Sequence, residues 1–561
     1  MSSLPKHERY KNSYRPGDLY WGIGIENETY IELSGKAQTA AQFVQQNQKR
    51  ERYSVDYWTL YKMDYVKSTL QAWVDSLPEK GSTVIRLPLL LNGHTLARCD
   101  KQGEHQTTYS TIPRPNPKFN GKTVLEELAA SDPSVFLEGR EQWWTLDGDT
   151  VEFMTQDYYC AKMEDVIEEL LSYKKRWLEA LQKGLDVLPN KEPALCHKVS
   201  YPIRNHGFAV FLTNRNNVAI FNNGTYHFNI TLPTYLDKDA RIANMEQFKE
   251  THKAVARLFQ WLSPFFVARY GSGDILANLG SKSHVRGQYY PAGSQRLCAS
   301  RFVSVGTYDT KKMLPGKILT TPYTRCEDRW YEQLYDRDIC SYNVLPELGL
   351  DINYNKHWNH GLEFRIFDWF PESLLPEVMR ILIWMCDEAL LAFAKGEVPD
   401  PQDDPIWNRV LSRTVWNGNS AILSEDELKR FGSVLHADLS GIYTISEIYD
   451  RIWTTWKDRW NLSTGTCTSY MIRYPIPATA STIIPSSPIR QPLIPLSTMI
   501  DYMYEPILDT IQEVIQSVLS PIDIPGRTNA SNVETKDAAI QTDSVTAIMP
   551  LRKYRWCCFS F

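Results

Sequence analysis

Apolar residues recur at two different intervals along the first two thirds of the chain, and the interval decides which element each stretch forms. Val166, Leu170, Tyr173, Trp177 and Leu181 recur at three and four residues, which predicts an amphipathic helix over 162–183. Phe248, Val255, Leu258, Phe259 and Leu262 predict another over 245–270. Residues 376–393 are apolar on more than one face, the pattern of a helix buried within a body, although Asp387 and Glu388 interrupt it. Helices are also predicted over 39–48 and 56–77, with shorter ones near 426–431 and 445–456.

Four other stretches alternate with a period of two, so successive side chains point to opposite faces of a sheet. In Gly22-Ile-Gly-Ile-Glu-Asn-Glu, the residues Gly22, Gly24, Glu26 and Glu28 share one face and Ile23 and Ile25 the other. Glu32 is expected on the acidic face as well, and the glycines are expected to leave the surface beside it open. Asp147-Gly148 is a hairpin signal leading into a strand that carries Glu152. Tyr226, Phe228, Ile230 and Leu232 form an apolar face against Thr225, His227, Asn229 and Thr231. Leu362, Phe364 and Ile366 alternate with Glu363 and Arg365. Strands interleaved with long helices predict a packed α+β body over residues 1–395. A helical extension follows over 396–474. A Pro-rich, largely disordered tail is predicted over 475–561, with an amphipathic helix near 498–519.

Composition removes several classes of function. With 61 Lys and Arg against 66 Asp and Glu, the net charge is −5, and no basic block exists, so nucleic acid is not an expected partner. No run of about 18 apolar residues would cross a membrane. The stretch 1–14 lacks the apolar core of a secretory signal, and the ten cysteines contain no Cys-x-x-Cys pair. Reduced thiols and a cytoplasmic location are expected.

The chemistry lies in the polar positions of the four strands. Two carboxylates on one strand face repel unless a cation lies between them. Glu26, Glu28, Glu152, Glu363 and His227, gathered on one face, would form an oxygen-rich ligand set suited to magnesium or manganese. Arg365 would add a fixed positive charge for phosphate oxygens. Carboxylates, divalent metals and an arginine together describe phosphoryl transfer.

These strands, in this order across about 340 residues, resemble the glutamine synthetase and glutamate–cysteine ligase superfamily, most closely its amidoligase (carboxylate–amine ligase) family. Glu26-Asn-Glu28 resembles the opening Glu-x-Glu strand. The Asp147-to-Thr155 stretch is similar to the hairpin ending in Glu-x-x-Thr, His227-Phe-Asn229 stands where the family has His-x-His, and Glu363-Phe-Arg365 resembles its Glu-x-Arg strand. The resemblance implies a glutamine synthetase-like catalytic sheet of antiparallel strands with flanking helices that binds ATP and Mg (or Mn). It implies transfer of the γ-phosphate to a small-molecule or peptide carboxylate, then attack by an amine to give an amide. Carried over residue by residue, Glu26, Glu28, Glu152, His227 and Glu363 would be metal ligands, with Glu26 also catalytic. Arg365 would hold nucleotide phosphates and take part in catalysis. Arg296 and Arg301 lie about where the family contacts nucleotide and substrate, in the cofactor-binding and catalytic roles respectively. Asn229 departs from the family's second histidine. A non-catalytic scaffold or binding protein and a guanidino kinase of the same fold are the alternatives.

The tail offers two interaction signals. Ala539-Ile-Gln-Thr-Asp543 resembles the extended ligand that dynein light chains read by strand addition. Cys558-Phe-Ser-Phe561, preceded by Cys557 and Arg552, Lys553 and Arg555, has the Cys-a-a-X form of a lipid-anchored terminus.

Overall fold

A computed structural model describes residues 19–34, 89–91, 124–136, 143–147, 150–187, 198–202, 225–239, 241–273, 293–294, 308–311, 351–354, 361–396, 398–461 and 464–476, with short strand pieces at 284–285, 288–289 and 314–315. The chain divides into two compact units, Met1–Leu508 and Asp509–Phe561, and every described residue lies in the first. The helices expected at 39–48, 56–77 and 498–519, the arginines Arg296 and Arg301, the Ala539–Asp543 motif and Cys558 lie outside the described residues.

The protein is a mixed α+β structure. The strands are β1 (Leu19–Thr29), β2 (Ile31–Ser34), β3 (Leu89–Leu91), β4 (Trp144–Asp147), β5 (Thr150–Met154), β6 (Lys198–Ser200), β7 (Tyr226–Tyr235), β8 (Ile352–Tyr354) and β9 (Leu362–Phe367). Six of them form one antiparallel sheet in the order β8-β9-β7-β1-β5-β4. The four polar–apolar stretches of the sequence thus become four adjacent strands, β9, β7, β1 and β5. The β4–β5 hairpin pairs Asp147 with Thr150, as the Asp-Gly signal predicts. Glu32 departs from expectation. After Thr29 the chain passes to β2, which pairs with β3 and β6 in a separate three-stranded sheet, so Glu32 does not belong to the main one.

Helices α1 (Val124–Ser131) and α2 (Pro133–Phe136) precede α3 (Met163–Val187), and α4 (Met245–Tyr270) follows β7. Both long helices cover the apolar face of the sheet. Trp177 of α3 meets Phe153 edge-on, with ring centroids 5.7 Å apart, and Phe259 of α4 stacks on Phe364 at 4.2 Å. Behind them lies α5 (Leu375–Lys395), packed on α3 and α4 and buried along most of its length, as its all-round apolar pattern predicts. Helices α6 (Pro405–Asn417), α7 (Glu425–Leu435), α8 (Ile445–Trp460) and α9 (Cys467–Met471) close over α4 and α5 and share their core.

The two acids that interrupt the apolar run of α5 are both satisfied. Asp387 accepts from the backbone N–H groups of Cys467 and Thr468 and from the Thr468 hydroxyl, at 2.6, 2.9 and 2.6 Å, and so caps α9. Glu388 accepts from His436 Nδ1 and Trp460 Nε1, both at 2.7 Å, and from Arg459. Buried charges persist where they are paired and hydrogen-bonded, and these two tie α5 to the helices that follow it.

Packing of α4 onto β7 carries a pH dependence. His252 is fully buried; its Nε2 accepts from Leu232 N–H at 3.1 Å, and its Nδ1 contacts Phe248 O at 2.8 Å. Burial lowers its pKa from 6.5 to about 4, against the opposing pull of the Phe248 carbonyl. The unfolded chain therefore binds one more proton than the folded chain between those values. Stability is complete above the unfolded pKa and falls as the pH drops from 6.5 toward 4, by about 3 kcal/mol for this group. Urea titrations across that range should show the loss in the wild type and a flatter profile in His252→Gln, whose amide can still accept from Leu232. An equal slope in both proteins would assign the acid sensitivity elsewhere.

Candidate metal centre

The face of the sheet opposite α3 and α4 is built from strand register. Glu26 pairs with His227 across β1 and β7, Gly24 pairs with Asn229, and Asn229 in turn pairs with Glu363 of β9. On the other side of β1, Glu28 pairs with Glu152. Directly opposed residues in an antiparallel ladder point to the same face, so pairing alone gathers these side chains from stretches more than 300 residues apart.

His227 Nδ1 is the hub. It lies 3.2 Å from Glu363 Oε1, 3.5 Å from Glu26 Oε2 and 3.9 Å from Glu28 Oε1. All four residues are at most 5% exposed. Glu26, His227 and Glu363 each offer a ligand atom within 4.8 Å of the other two. Glu28 is not part of that group, nor is Glu152, which stands one strand over on the same face, half-buried. Arg365, also buried, places a guanidinium nitrogen 3.7 Å from Glu363 Oε2, and its backbone N–H donates to Asp351 O at 2.8 Å.

Each carboxylate has one oxygen turned toward the hub and the other tied by a neutral donor. Asn229 Nδ2 donates to Glu26 Oε1 at 3.1 Å, Thr225 Oγ1 to Glu28 Oε2 at 3.0 Å, and Asn353 Nδ2 to Glu363 Oε2 at 3.0 Å. Asn229 thus orients Glu26 through its amide N–H. Thr225 also orients the histidine ring. With its hydroxyl donating to Glu28, the Thr225 oxygen accepts from His227 Nε2–H at 3.2 Å, and Nδ1 is the ring nitrogen that faces the carboxylates.

These donors orient the carboxylates without adding charge. Among the described residues, the three buried carboxylates carry formal charges of −3 against +1 on Arg365. A divalent cation would draw an imidazole nitrogen and carboxylate oxygens together at such distances, and a set of carboxylate oxygens with one nitrogen suits magnesium or manganese. The residues present fit such an ion.

The glycines do not leave the open floor expected of them. A Cβ on Gly24 would meet Tyr158 Cβ at 3.2 Å and Thr155 Oγ1 at 3.3 Å, and one on Gly22 would meet Thr231 Oγ1 at 3.2 Å. Gly24 instead lets the 155–160 segment pack against β1, where Tyr158 O accepts from Ile23 N–H at 2.9 Å, and Gly22 lets Thr231 of β7 close in. Tyr158 becomes a wall of the site. Burial, then Tyr159, then the charge of Glu26 raise its pKa well above the ordinary phenol value, so it stays protonated.

Lys174, Asn353 and Tyr158 are parts of this arrangement that the four-strand pattern does not reveal. Asn353 lies on a three-residue strand too short to show alternation. Lys174, 2% exposed, sits at the buried 170-174-177-181 spacing of α3, and that register was the available signal. It contacts Asn27 Oδ1 and Glu372 Oε1, both at 2.5 Å, behind the acidic strand.

No protein-family model matches the chain. Over 424 residues it is 36% identical to Uncharacterized protein R704 of Acanthamoeba polyphaga mimivirus, a match that covers 75% of this chain and 71% of the viral one. The chain belongs to the R704 family. That relative's name states no activity, so a function for the R704 family has to be argued from the site itself. Among the described residues, no helix is long and apolar enough to cross a membrane.

Proposed function

We propose that the chain is an ATP-dependent carboxylate–amine ligase built on a glutamine synthetase-like sheet and dependent on magnesium or manganese. The observation that carries this reading is the convergence of Glu26, Glu28 and Glu363 on His227 Nδ1, with one oxygen of each carboxylate tied back and Arg365 alongside. A buried acidic set of this kind, beside a fixed guanidinium, suits a polyphosphate whose negative charge must be neutralised before a nucleophile can approach it.

Glu26, Glu28, His227 and Glu363 would hold one cation, and Glu152, on the same face one strand away, would serve a neighbouring one. Bound cations supply charge neutralisation and polarise the phosphoryl oxygens. Arg365 would contact phosphate oxygens as a charge that never titrates. In the net reaction a substrate carboxylate oxygen bonds to the γ-phosphorus as ADP leaves. The amine nitrogen then bonds to the acyl carbon as phosphate leaves, and the amine gives up a proton. Arg296 and Arg301 remain proposed contacts for the nucleotide and the substrate.

A metabolite-extract screen with the purified chain tests the reading. ADP release should require Mg²⁺ or Mn²⁺ and should depend on both a carboxylate and an amine fraction. Phosphorylated product without amide would instead indicate a kinase of the same fold. Failure to bind or hydrolyse ATP at millimolar metal would indicate a scaffold.

A further inference from the structure

We infer that Thr225, Asn229 and Asn353 are positioning residues for the cation site, and that Thr225 is itself held in place through the sheet by Asn27 and Lys174; the inference rests on the metal reading above. Thr225 is fully buried, and its hydroxyl serves two proposed ligands, Glu28 and His227. Its backbone carbonyl is fixed from two directions, accepting from Glu28 N–H and from Asn27 Nδ2, each at 3.0 Å. Asn27 lies between the two acidic residues of β1 but points to the opposite face, where its Oδ1 accepts from Lys174 Nζ at 2.5 Å.

Lys174 is an expensive residue to place there. Burial lowers its pKa, which Glu372 opposes, and its ammonium lies 4.6 Å from the Tyr201 ring centroid. An apolar side chain at that helix position would pack without this cost. What the lysine provides is a fixed hydrogen bond that sets the Asn27 amide, and through it the Thr225 carbonyl, at the level of the ligand oxygens. The contacts run Lys174, Asn27, Thr225, then Glu28 and His227, from the helical layer through the strand to the acidic face.

Groups that orient metal ligands typically change affinity by about 10–100-fold when removed. Mn²⁺ titration of the full chain, followed by electron paramagnetic resonance, reads this without any assay of turnover. Thr225→Val keeps the shape and removes the hydroxyl, and it should weaken Mn²⁺ by about 10–100-fold. Thr225→Ser should bind nearly as the wild type does. Lys174→Met should weaken Mn²⁺ in the wild-type background and have no further effect in the Thr225→Val background, because residues acting through one another are not additive. Asn353→Ala, on the edge strand, should also weaken binding and keeps the test open if Thr225→Val does not fold. Wild-type affinity in both Thr225→Val and Asn353→Ala overturns the positioning role while leaving the metal centre in place. An equal effect of Lys174→Met in both backgrounds overturns the link through the sheet. A wild-type chain that binds no Mn²⁺ overturns the metal centre and this inference with it.

Discussion

Glu26→Gln is expected to lower Mn²⁺ affinity by more than about 100-fold, beyond the loss from an orienting group, and to take metal-dependent ATP cleavage to background. The change is nearly isosteric, so its effect isolates the charge. In the wild type, Glu26 Oε1 is held by Asn229 and Oε2 faces His227 Nδ1 at 3.5 Å. A glutamine can keep its oxygen toward Asn229 and place its amide nitrogen toward His227 Nδ1. That arrangement satisfies the metal-free site internally and removes both the charge and one ligand oxygen. The metal-free protein should therefore melt no lower than the wild type, because one of three clustered carboxylates has been neutralised. Metal should then separate the two proteins. At 100 times its dissociation constant a ligand stabilises the wild type by about 2.7 kcal/mol, and the variant should gain almost nothing. Calorimetric melting with and without Mn²⁺ reads both effects. A variant that binds Mn²⁺ as the wild type does would remove Glu26 from the site. A large fall in the metal-free melting temperature would make Glu26 a structural residue instead.

The parts of this site legible in the sequence are those that follow from strand alternation. Period-two patterning assigns Glu26 and Glu28 to one face, and His227 and Glu363 to the polar faces of their strands, because a residue's face depends only on its parity within the strand. Parity also assigns Ile23, Phe228 and Phe364 to the helix-covered side, where they are buried. It cannot see which strands become neighbours, nor where a strand ends. Glu32 has the right parity and belongs to another sheet, because the chain leaves the main one after Thr29.

Side chains that act on other side chains are harder to read. Asn229 looks like a missing ligand in a one-dimensional comparison. In three dimensions its amide holds Glu26, which depends on β7 lying beside β1 in one particular register. Gly22 and Gly24 look like an open floor, yet Thr231 of β7 and the 155–160 segment fill the space their missing side chains provide. Lys174 lies among core positions of its helix, where a lysine would ordinarily argue against burial. Parity puts Asn27 on the helix-covered face, but only the packing of α3 on β1 shows that it meets Lys174. In each case the deciding contact joins residues whose proximity no local pattern encodes.

Trp177→Ala is expected to destabilise the fold by about 3–5 kcal/mol, the range for deleting a large buried aromatic. Trp177 is fully buried on the helix side of the sheet and meets Phe136, Trp144 and Phe153 edge-on, with ring centroids 5.7–5.8 Å away. Its removal opens a cavity behind β4 and β5, the strands that carry Glu152 and its hairpin. Among the described residues its indole N–H has no hydrogen-bond partner, and a buried donor left unpaired costs about 1–3 kcal/mol. Trp177→Phe removes that donor along with some volume, so it should cost much less than the alanine change. Urea unfolding of the two variants measures the difference, and equal losses would show that the indole itself, rather than ring volume, is what this position requires. Because Trp177 faces away from the acidic side chains, the folded fraction of either variant should bind Mn²⁺ as the wild type does. Loss of binding in well-folded Trp177→Phe would mean that the helical layer sets the ligand geometry from β5 as well as through Asn27.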